Sequence, residues 1–550
     1  MTVFFERHRP MLEAATAALY ARGFWTPFPE VPSGKIYGET AKADGDATYA
    51  ALLAKPFDLP GHPESQRLGA EISPWGPELG IRYPTAEPAT LIAAARTAAP
   101  ALAAASVEAR VGVCLEILQR LNGLSFVMAN AVMHTTGQAF PMAFQAGGPH
   151  AQDRGLEAVA MAHAEMTRFA ATARWEKPQG KAAPIVMEKH WTIVPRGLSL
   201  VIACNTFPTW NSYPGLFASL ATGNPVIVKP HPSAILPLAL TVRVAREVLV
   251  EAGLPADAVL LAVDEAGAEI TKTLATDPAV KLIDYTGSSV FGNWLRGHAA
   301  QAQLFTEETG VNTVTIAATD DFAGMCDNLA FSLSLYSGQM CTSPQTIFVP
   351  ENGIETEGGH LSFDAVAEGL ASAIDRLLAD PARAAGVCGA VANPATLARV
   401  EAAQALGRVI RASAPLAQGR SATPLLVVPE GQGAKAAEDE CFGPVAFIVP
   451  VADADAGITR AAALAETKGA ITAALYDTDS ARIGRAVQAF ARAGVNLSVN
   501  LTGNIFVNQS AAFSDFHVTG ANPAGNASLT DTDFVAPRFR RVMWRMPVAA

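Results

Sequence analysis

An α/β protein with two doubly wound sheets is the expectation for this 550-residue chain. Between Leu198 and His298 short apolar runs alternate with helical patterns, as in a sheet covered by helices on both faces. A second alternation runs from about Val311 to Gly520. Hydrophobic residues are 50% of the chain and charged residues 17%, which supplies a large core and excludes a disordered chain. At roughly 100–200 residues each, two or three domains are expected.

The N-terminal part is the least regular. Phe4 to Arg22 reads as an amphipathic helix, and Trp25 to Pro77, rich in Pro, Gly and Asp, as ordered coil. Glu87 to Ala105 is helical with a break expected at Pro100, and Val107 to Leu121 is a second helix. A further segment, from about Ala129, stops at Gly137, and Gly155 to Ala171 is helical. Val186 to Val194 reads as a strand near an edge.

The first sheet then takes strands at Leu198–Ala203, Pro225–Lys229, Val259–Val263 and Leu282–Tyr285. Helices at Ser233–Ala252, Gly267–Thr276 and Ser288–His298 connect them. Such a sheet binds ligands beyond the carboxyl ends of its strands, although no GxGxxG follows the first one. The second sheet takes Thr313–Ile316, Thr346–Val349, Leu425–Val428 and Val445–Val449. Phe363–Ala379 and Pro394–Leu406 are its helices, the latter with Asn393 as N-cap and Pro394 in the first position. Phe539 to Met546 is a strand with four arginines nearby, and is read as a pairing edge rather than a nucleic-acid arm.

The formal charge of −11 argues against a nucleic-acid partner. Six scattered cysteines without a CxxC pair suit a reduced, cytoplasmic protein, and neither zinc spacing nor HExxH occurs. Met1 to Pro10 carries Glu6, Arg7, His8 and Arg9 with no apolar run behind it, so no signal peptide is expected. The uncharged run from Gly197 to Val228 is broken by Pro208, Pro214, Gly215 and Pro225, so it reads as core and not as a membrane span.

Ser337-Gly338-Gln339-Met340-Cys341-Thr342-Ser343 sets one thiol in a glycine- and hydroxyl-rich loop after a helix. A thiolate is a strong nucleophile if its pKa is lowered and a base stands near. A lone cysteine is as readily an inert core residue. Its company decides: Phe207-Pro208 after a strand, Val228-Lys229-Pro230, Thr286-Gly287-Ser288 opening a helix, Glu307 with Gly310, Gly338-Gln339-x-Cys341, and Glu440-x-Phe442-Gly443-Pro444.

In that order these motifs resemble the aldehyde dehydrogenase superfamily from about Pro195 to Gly520, and the whole chain looks most like its phenylacetate-degradation (PaaN) subfamily. The resemblance implies an aldehyde dehydrogenase-like fold: a cofactor domain, a catalytic domain and a small β oligomerisation element. The corresponding parts are an N-terminal extension (1–85), a cofactor domain (86–310, with 175–195 lending an oligomerisation strand), a catalytic domain (311–520) and a C-terminal segment (521–550). It implies Cys341 as nucleophile, Glu307 as the base that activates water, and Asn205 as oxyanion donor, with Asn211 the alternative because Thr206 lengthens that loop. Lys229 would meet the adenosine ribose, Gly287 and Ser288 the pyrophosphate, and Glu440 and Phe442 the nicotinamide ribose. Phe513 would line the substrate funnel. In the stretch from Ala512 to Gly520, His517 replaces the family's lysine, and Glu308 is charged where the family is apolar.

The cofactor implied is NADP or NAD. Pro232 stands where NAD-preferring members often carry a glutamate, so acceptance of NADP is expected. The expected reaction oxidises an aldehyde, possibly a CoA-linked semialdehyde from aromatic degradation, to the acid; a homodimer or homotetramer is implied. The competing readings are a CoA-acylating enzyme, against which Glu307 counts, and a non-catalytic binding protein.

Overall fold

A computed structural model describes residues 2–308 and 310–548. Thr309, part of the Glu307–Gly310 motif, lies outside them.

Fifteen strands carry the architecture. Strands β1 (Thr172–Gln179) and β2 (Ala182–Pro195) form an antiparallel hairpin. The first parallel sheet holds β3 (Leu198–Ile202), β4 (Val226–Lys229), β5 (Val259–Leu261), β6 (Val280–Gly287) and β7 (Gln303–Glu308). The second holds β8 (Thr313–Ile316), β9 (Thr346–Pro350), β10 (Gly407–Arg411), β11 (Leu425–Pro429), β12 (Val445–Val451), β13 (Thr472–Tyr476) and β14 (Asn496–Val499). The last strand, β15 (Phe539–Pro547), pairs antiparallel with β2.

The first sheet runs β5-β4-β3-β6-β7, all parallel. Its order reverses between β3 and β6, which opens a crevice beyond their carboxyl ends. The second runs β10-β11-β12-β9-β8-β13-β14, parallel except for β10 against β11. Strands such as β4 and β11 are buried along their whole length. Burial on both faces explains their near-continuous Val, Ile and Leu content.

Several expectations need correction. Residues 25–77 are not plain coil, because Ala41–Leu52 is a helix. Gly45 lies in its middle, where a Cβ would stand 2.4 Å from Phe126 Cβ; close packing, not helix propensity, selects that glycine. Pro100 does not break its helix, which runs unbroken from Pro88 to Ala104. The helix after Asn393 starts at Ala395, although Asn393 Oδ1 still accepts the Ala395 amide at 3.0 Å. Strand β2 is the centre of a three-stranded sheet, not an edge. Strands β1, β7, β10, β13 and β14 were not foreseen, and β7 carries Glu307.

Two long-range ties position the site. The N-terminal part clamps the first sheet: His62 Nε2 accepts the Leu261 amide at 3.0 Å, and Thr85 Oγ1 donates to the Val263 carbonyl at 2.7 Å. Near the C-terminus, Arg538 is fully buried and binds Asp284 of β6 through both carboxylate oxygens, at 2.5 and 2.8 Å. That arginine therefore serves the fold and is not part of a basic surface. No single helix among the described residues is long and apolar enough to cross a membrane.

Candidate active site

Helix Phe322–Ser334 leads into a short turn, Leu335–Gly338, that presents Cys341. Tyr336 (φ 51°) and Ser337 (φ 50°) both sit in the left-handed region. For non-glycine residues that costs on the order of 1 kcal/mol or more each, so the surroundings must over-determine the turn. They do. Tyr336 Oη donates to Thr136 O at 2.5 Å, and Ser337 Oγ to Ala422 O at 2.8 Å. Gln339 Nε2 donates to Tyr336 O and Ala390 O at 3.0 and 3.1 Å. Asn312 Nδ2 donates to Cys341 O at 2.8 Å and to Ser343 O at 3.0 Å. Gly338 is required because a Cβ there would meet the Gly443 carbonyl at 2.4 Å.

Cys341 lies on the floor of a cavity of about 940 Å³. Glu307, on β7 of the other sheet, lies buried just behind that lining, within 4.8 Å of the thiol. Its carboxylate accepts Asn211 Nδ2 at 3.1 Å on both oxygens and meets His517 Nε2 at 3.1 Å. That same Nε2 lies 3.8 Å from Cys341 Sγ. Burial first, and the Glu307 charge second, push the Cys341 thiol well above its ordinary range.

The other anticipated residues fall as follows. Asn205 is half-buried in the turn before helix Pro208–Ala221 and is not among the residues lining the cavity. Gln138 Nε2 holds that turn by donating to Thr206 O at 2.8 Å. Because the helix starts at Pro208, Phe207, Trp210 and Asn211 share one face and enter the cavity wall. Of the two candidates for the oxyanion donor, Asn211 lines the cavity and Asn205 does not. The expectation for Phe513 is corrected. It is fully buried behind the wall, edge-on to Trp25 at 4.9 Å, and its neighbours Ala512 and Ser514 line the cavity instead.

Lys229 ends β4, is buried, and makes an ion pair with Asp264 at 2.6 Å. Burial, more than Asp264 offsets, lowers its pKa from the ordinary lysine value. Gly287 ends β6 and Ser288 caps helix Ser289–His298; the Ser288 side chain makes no capping bond. Glu440 is exposed, and Phe442 is half-buried in the loop before β12. That loop is tied to the Cys341 segment by Gln345, whose Oε1 accepts the Cys441 amide at 2.6 Å and whose Nε2 donates to Asp439 O at 3.0 Å. A carboxylate beside a lysine, a helix N-terminus and the crevice at the strand ends suit a dinucleotide.

Three features escaped the sequence reading. Phe24, Trp25 and Phe28 of the N-terminal extension line the cavity. Glu308 binds Arg296 through both oxygens at 2.6 and 3.0 Å, which accounts for a charge where an apolar residue was expected. Asp264 joins Lys229 from the next strand. Only the first had a sequence signal, the aromatic cluster at 24–28.

Two sheets meeting at a half-buried cysteine and a buried glutamate define a class of protein. The aldehyde dehydrogenase family pattern matches residues 71–522, and the chain belongs to that family. A structure of an NAD-dependent aldehyde dehydrogenase from Burkholderia multivorans superposes with a TM-score of 0.98 at 52% identity, covering 100% of this chain and 99% of that one. A 1-pyrroline-5-carboxylate dehydrogenase from Thermus with bound NAD gives a TM-score of 0.72 at 18% identity, over 96% and 99% of the two chains, which speaks to the fold alone. Among curated relatives, a 1-pyrroline-5-carboxylate dehydrogenase of Bacillus subtilis (strain 168) is 25% identical over 61% of this chain and 62% of its own length. An N-succinylglutamate 5-semialdehyde dehydrogenase of Burkholderia multivorans (strain ATCC 17616 / 249) is 29% identical over 58% and 63%. The chain thus spans less than two thirds of the length of these curated relatives.

Proposed function

We propose that this protein oxidises an aldehyde to the carboxylic acid with a nicotinamide cofactor, NAD or NADP. The observation that carries the proposal is the Cys341 thiol, open to the large cavity, with the buried Glu307 carboxylate within 4.8 Å of it. Cys341 attacks the carbonyl carbon, and the carbonyl pair moves onto oxygen. Asn211 Nδ2 is the side-chain donor nearest that oxygen's path. When bound, the cofactor supplies the hydride acceptor that turns the Cys341 adduct into a thioester. Lys229, Asp264, Gly287 and Ser288 would hold its adenosine and pyrophosphate, and Glu440 with Phe442 its nicotinamide side. Glu307 then activates water against the thioester.

The preference for NADP expected from Pro232 must be set against Asp264. Its carboxylate stands at the lysine assigned to the ribose, where a carboxylate favours a free diol over a phosphate.

The cavity lining bears on the substrate. Phe24, Trp25, Phe28, Phe331 and Phe506 contribute to it, and no lysine or arginine does. An arm with an apolar or aromatic body and no anionic group suits it better than a free dicarboxylic semialdehyde. A semialdehyde of phenylacetate degradation fits if it is CoA-linked with its phosphates outside the mouth. The chain's likeness to the phenylacetate-degradation subfamily supports the same substrate. Thioester release to CoA is the second reading, and the Glu307 carboxylate argues for water. Exposed Val542, Trp544 and Met546 on edge strand β15 support a homo-oligomer, and six unpaired cysteines support a cytoplasmic setting.

The test is reduced-nicotinamide formation with phenylacetaldehyde, a CoA-linked semialdehyde and glutamate semialdehyde, with acid and thioester products assayed. Turnover only of the free dicarboxylic semialdehyde would reject the substrate reading. An absence of cofactor binding would reject the whole proposal.

A further inference from the structure

Cys341 needs help that its surroundings seem built to withhold. It is desolvated and faces the Glu307 charge, both of which favour the thiol over the thiolate. No lysine or arginine lines its cavity. An unaided thiol in this place is a poor nucleophile at neutral pH.

One side chain is placed to change that. His517 is almost wholly buried at 3% exposure, and the edge-on ring of Trp210 holds its imidazole at 4.6 Å. Its Nε2 is within reach of two atoms at once, Cys341 Sγ at 3.8 Å and Glu307 Oε1 at 3.1 Å. Nδ1 is buried with no hydrogen-bond partner among the described residues, so all the polar contacts of the ring are made through Nε2. The titratable groups around this point are Cys341, Glu307 and Cys204, with Arg154 behind Trp210 at 5.2 Å.

We propose that His517 is a further catalytic residue, the acceptor of the Cys341 proton. The ring starts neutral with its proton on Nδ1 and a lone pair on Nε2; the S–H bond breaks, the proton moves to Nε2, and the electron pair stays on sulfur. The imidazolium so formed donates Nε2–H to the Glu307 carboxylate, which offsets the cost of a buried cation. Net charge in the cluster is unchanged by the transfer. A nucleophile, a base and a group that steadies the base are the elements of an activated thiol. The thiolate regenerated when the thioester is hydrolysed takes the proton back. The inference rests on the proposed role of Cys341, but its test needs neither aldehyde nor cofactor.

The test is the rate of Cys341 alkylation by iodoacetamide between about pH 5.5 and 9.5, read by peptide mass, on the native chain, His517→Gln, His517→Ala and Glu307→Gln. The native chain should react at neutral pH, with His517→Gln slower by at least about tenfold at pH 7 and rising only in alkali. Free imidazole should restore reactivity to His517→Ala, which a merely structural loss would not allow. Glu307→Gln should retain a neutral-pH limb at reduced amplitude, since the base remains but the imidazolium loses its carboxylate partner. Coincident profiles for the native chain and His517→Gln would overturn the proposal, as would loss of the neutral limb in Glu307→Gln alone, which would make Glu307 the acceptor. Failure of every aldehyde in the turnover assay would leave this result standing.

Discussion

Glu307 and Glu308 are neighbours on β7 with opposite fates. Successive side chains on a strand point to opposite faces. Glu307 faces Asn211 and His517, two residues of the cavity wall, which hold its carboxylate near Cys341. Glu308 faces helix Ser289–His298, where Arg296 neutralises it. A Cβ on Gly292 of that helix would meet the Glu308 carboxylate at 2.4 Å, so the glycine makes room for the pair. Both carboxylates are buried, at 4% and 2% exposure, so burial does not distinguish them; partners do. The face with an arginine is structural, and the face with a neutral amide, an imidazole and a thiol is chemical.

The comparison breaks most easily at Glu307. Glu307→Gln should lower steady-state turnover by about a hundredfold or more, with a stoichiometric burst of reduced cofactor as the thioester accumulates. A variant with near-native steady-state rate would remove Glu307 from the mechanism. Arg296→Ala should act through stability instead. It leaves the buried Glu308 charge unpaired, and because Arg296 is itself 45% exposed the cost should be about 2 kcal/mol, read by denaturant titration. Turnover of the folded fraction should change less than about threefold. The double variant Arg296→Met with Glu308→Leu should recover most of that stability, because an apolar pair can replace a buried ion pair. Continued instability would mean that the pair also orders β7. Asp264 is a third buried carboxylate with a cationic partner, and it tests whether pairing always means structure. Asp264→Ser should raise the NADP-to-NAD efficiency ratio about tenfold, equivalent to about 1.4 kcal/mol. An unchanged ratio would assign Asp264 to holding Lys229 alone.

The legible parts of the sequence were those with local signals. Strand β8 was placed residue for residue, because its Thr-Val-Thr-Ile is β-branched throughout, which favours a strand. The order of motifs around Lys229, Glu307 and Cys341 was enough to indicate the family. β7 was not read, since Gln303, Thr306, Glu307 and Glu308 make it too polar for a core strand by composition. Its polar residues are satisfied only by distant partners, such as Asn526, whose Oδ1 accepts the Thr306 amide at 2.8 Å. Asn205 was preferred because it stood nearest the Phe207-Pro208 motif. The phase of helix Pro208–Ala221 brings Asn211 and not Asn205 to the cavity wall, and phase is a property of where the helix begins.

By itself, the sequence determined which chemistries were present: a thiol in a glycine-rich loop, a carboxylate at family spacing, and two sets of strands. Tertiary structure alone decided which of them touch. Residues far apart in the chain, such as Glu307, Cys341 and His517, meet within 4.8 Å because two separately wound sheets close on one cavity. Trp25 and its neighbours wall that cavity because the N-terminal extension packs back on Phe513. Contacts of this kind form through burial summed over the whole core, and no window along the chain encodes them.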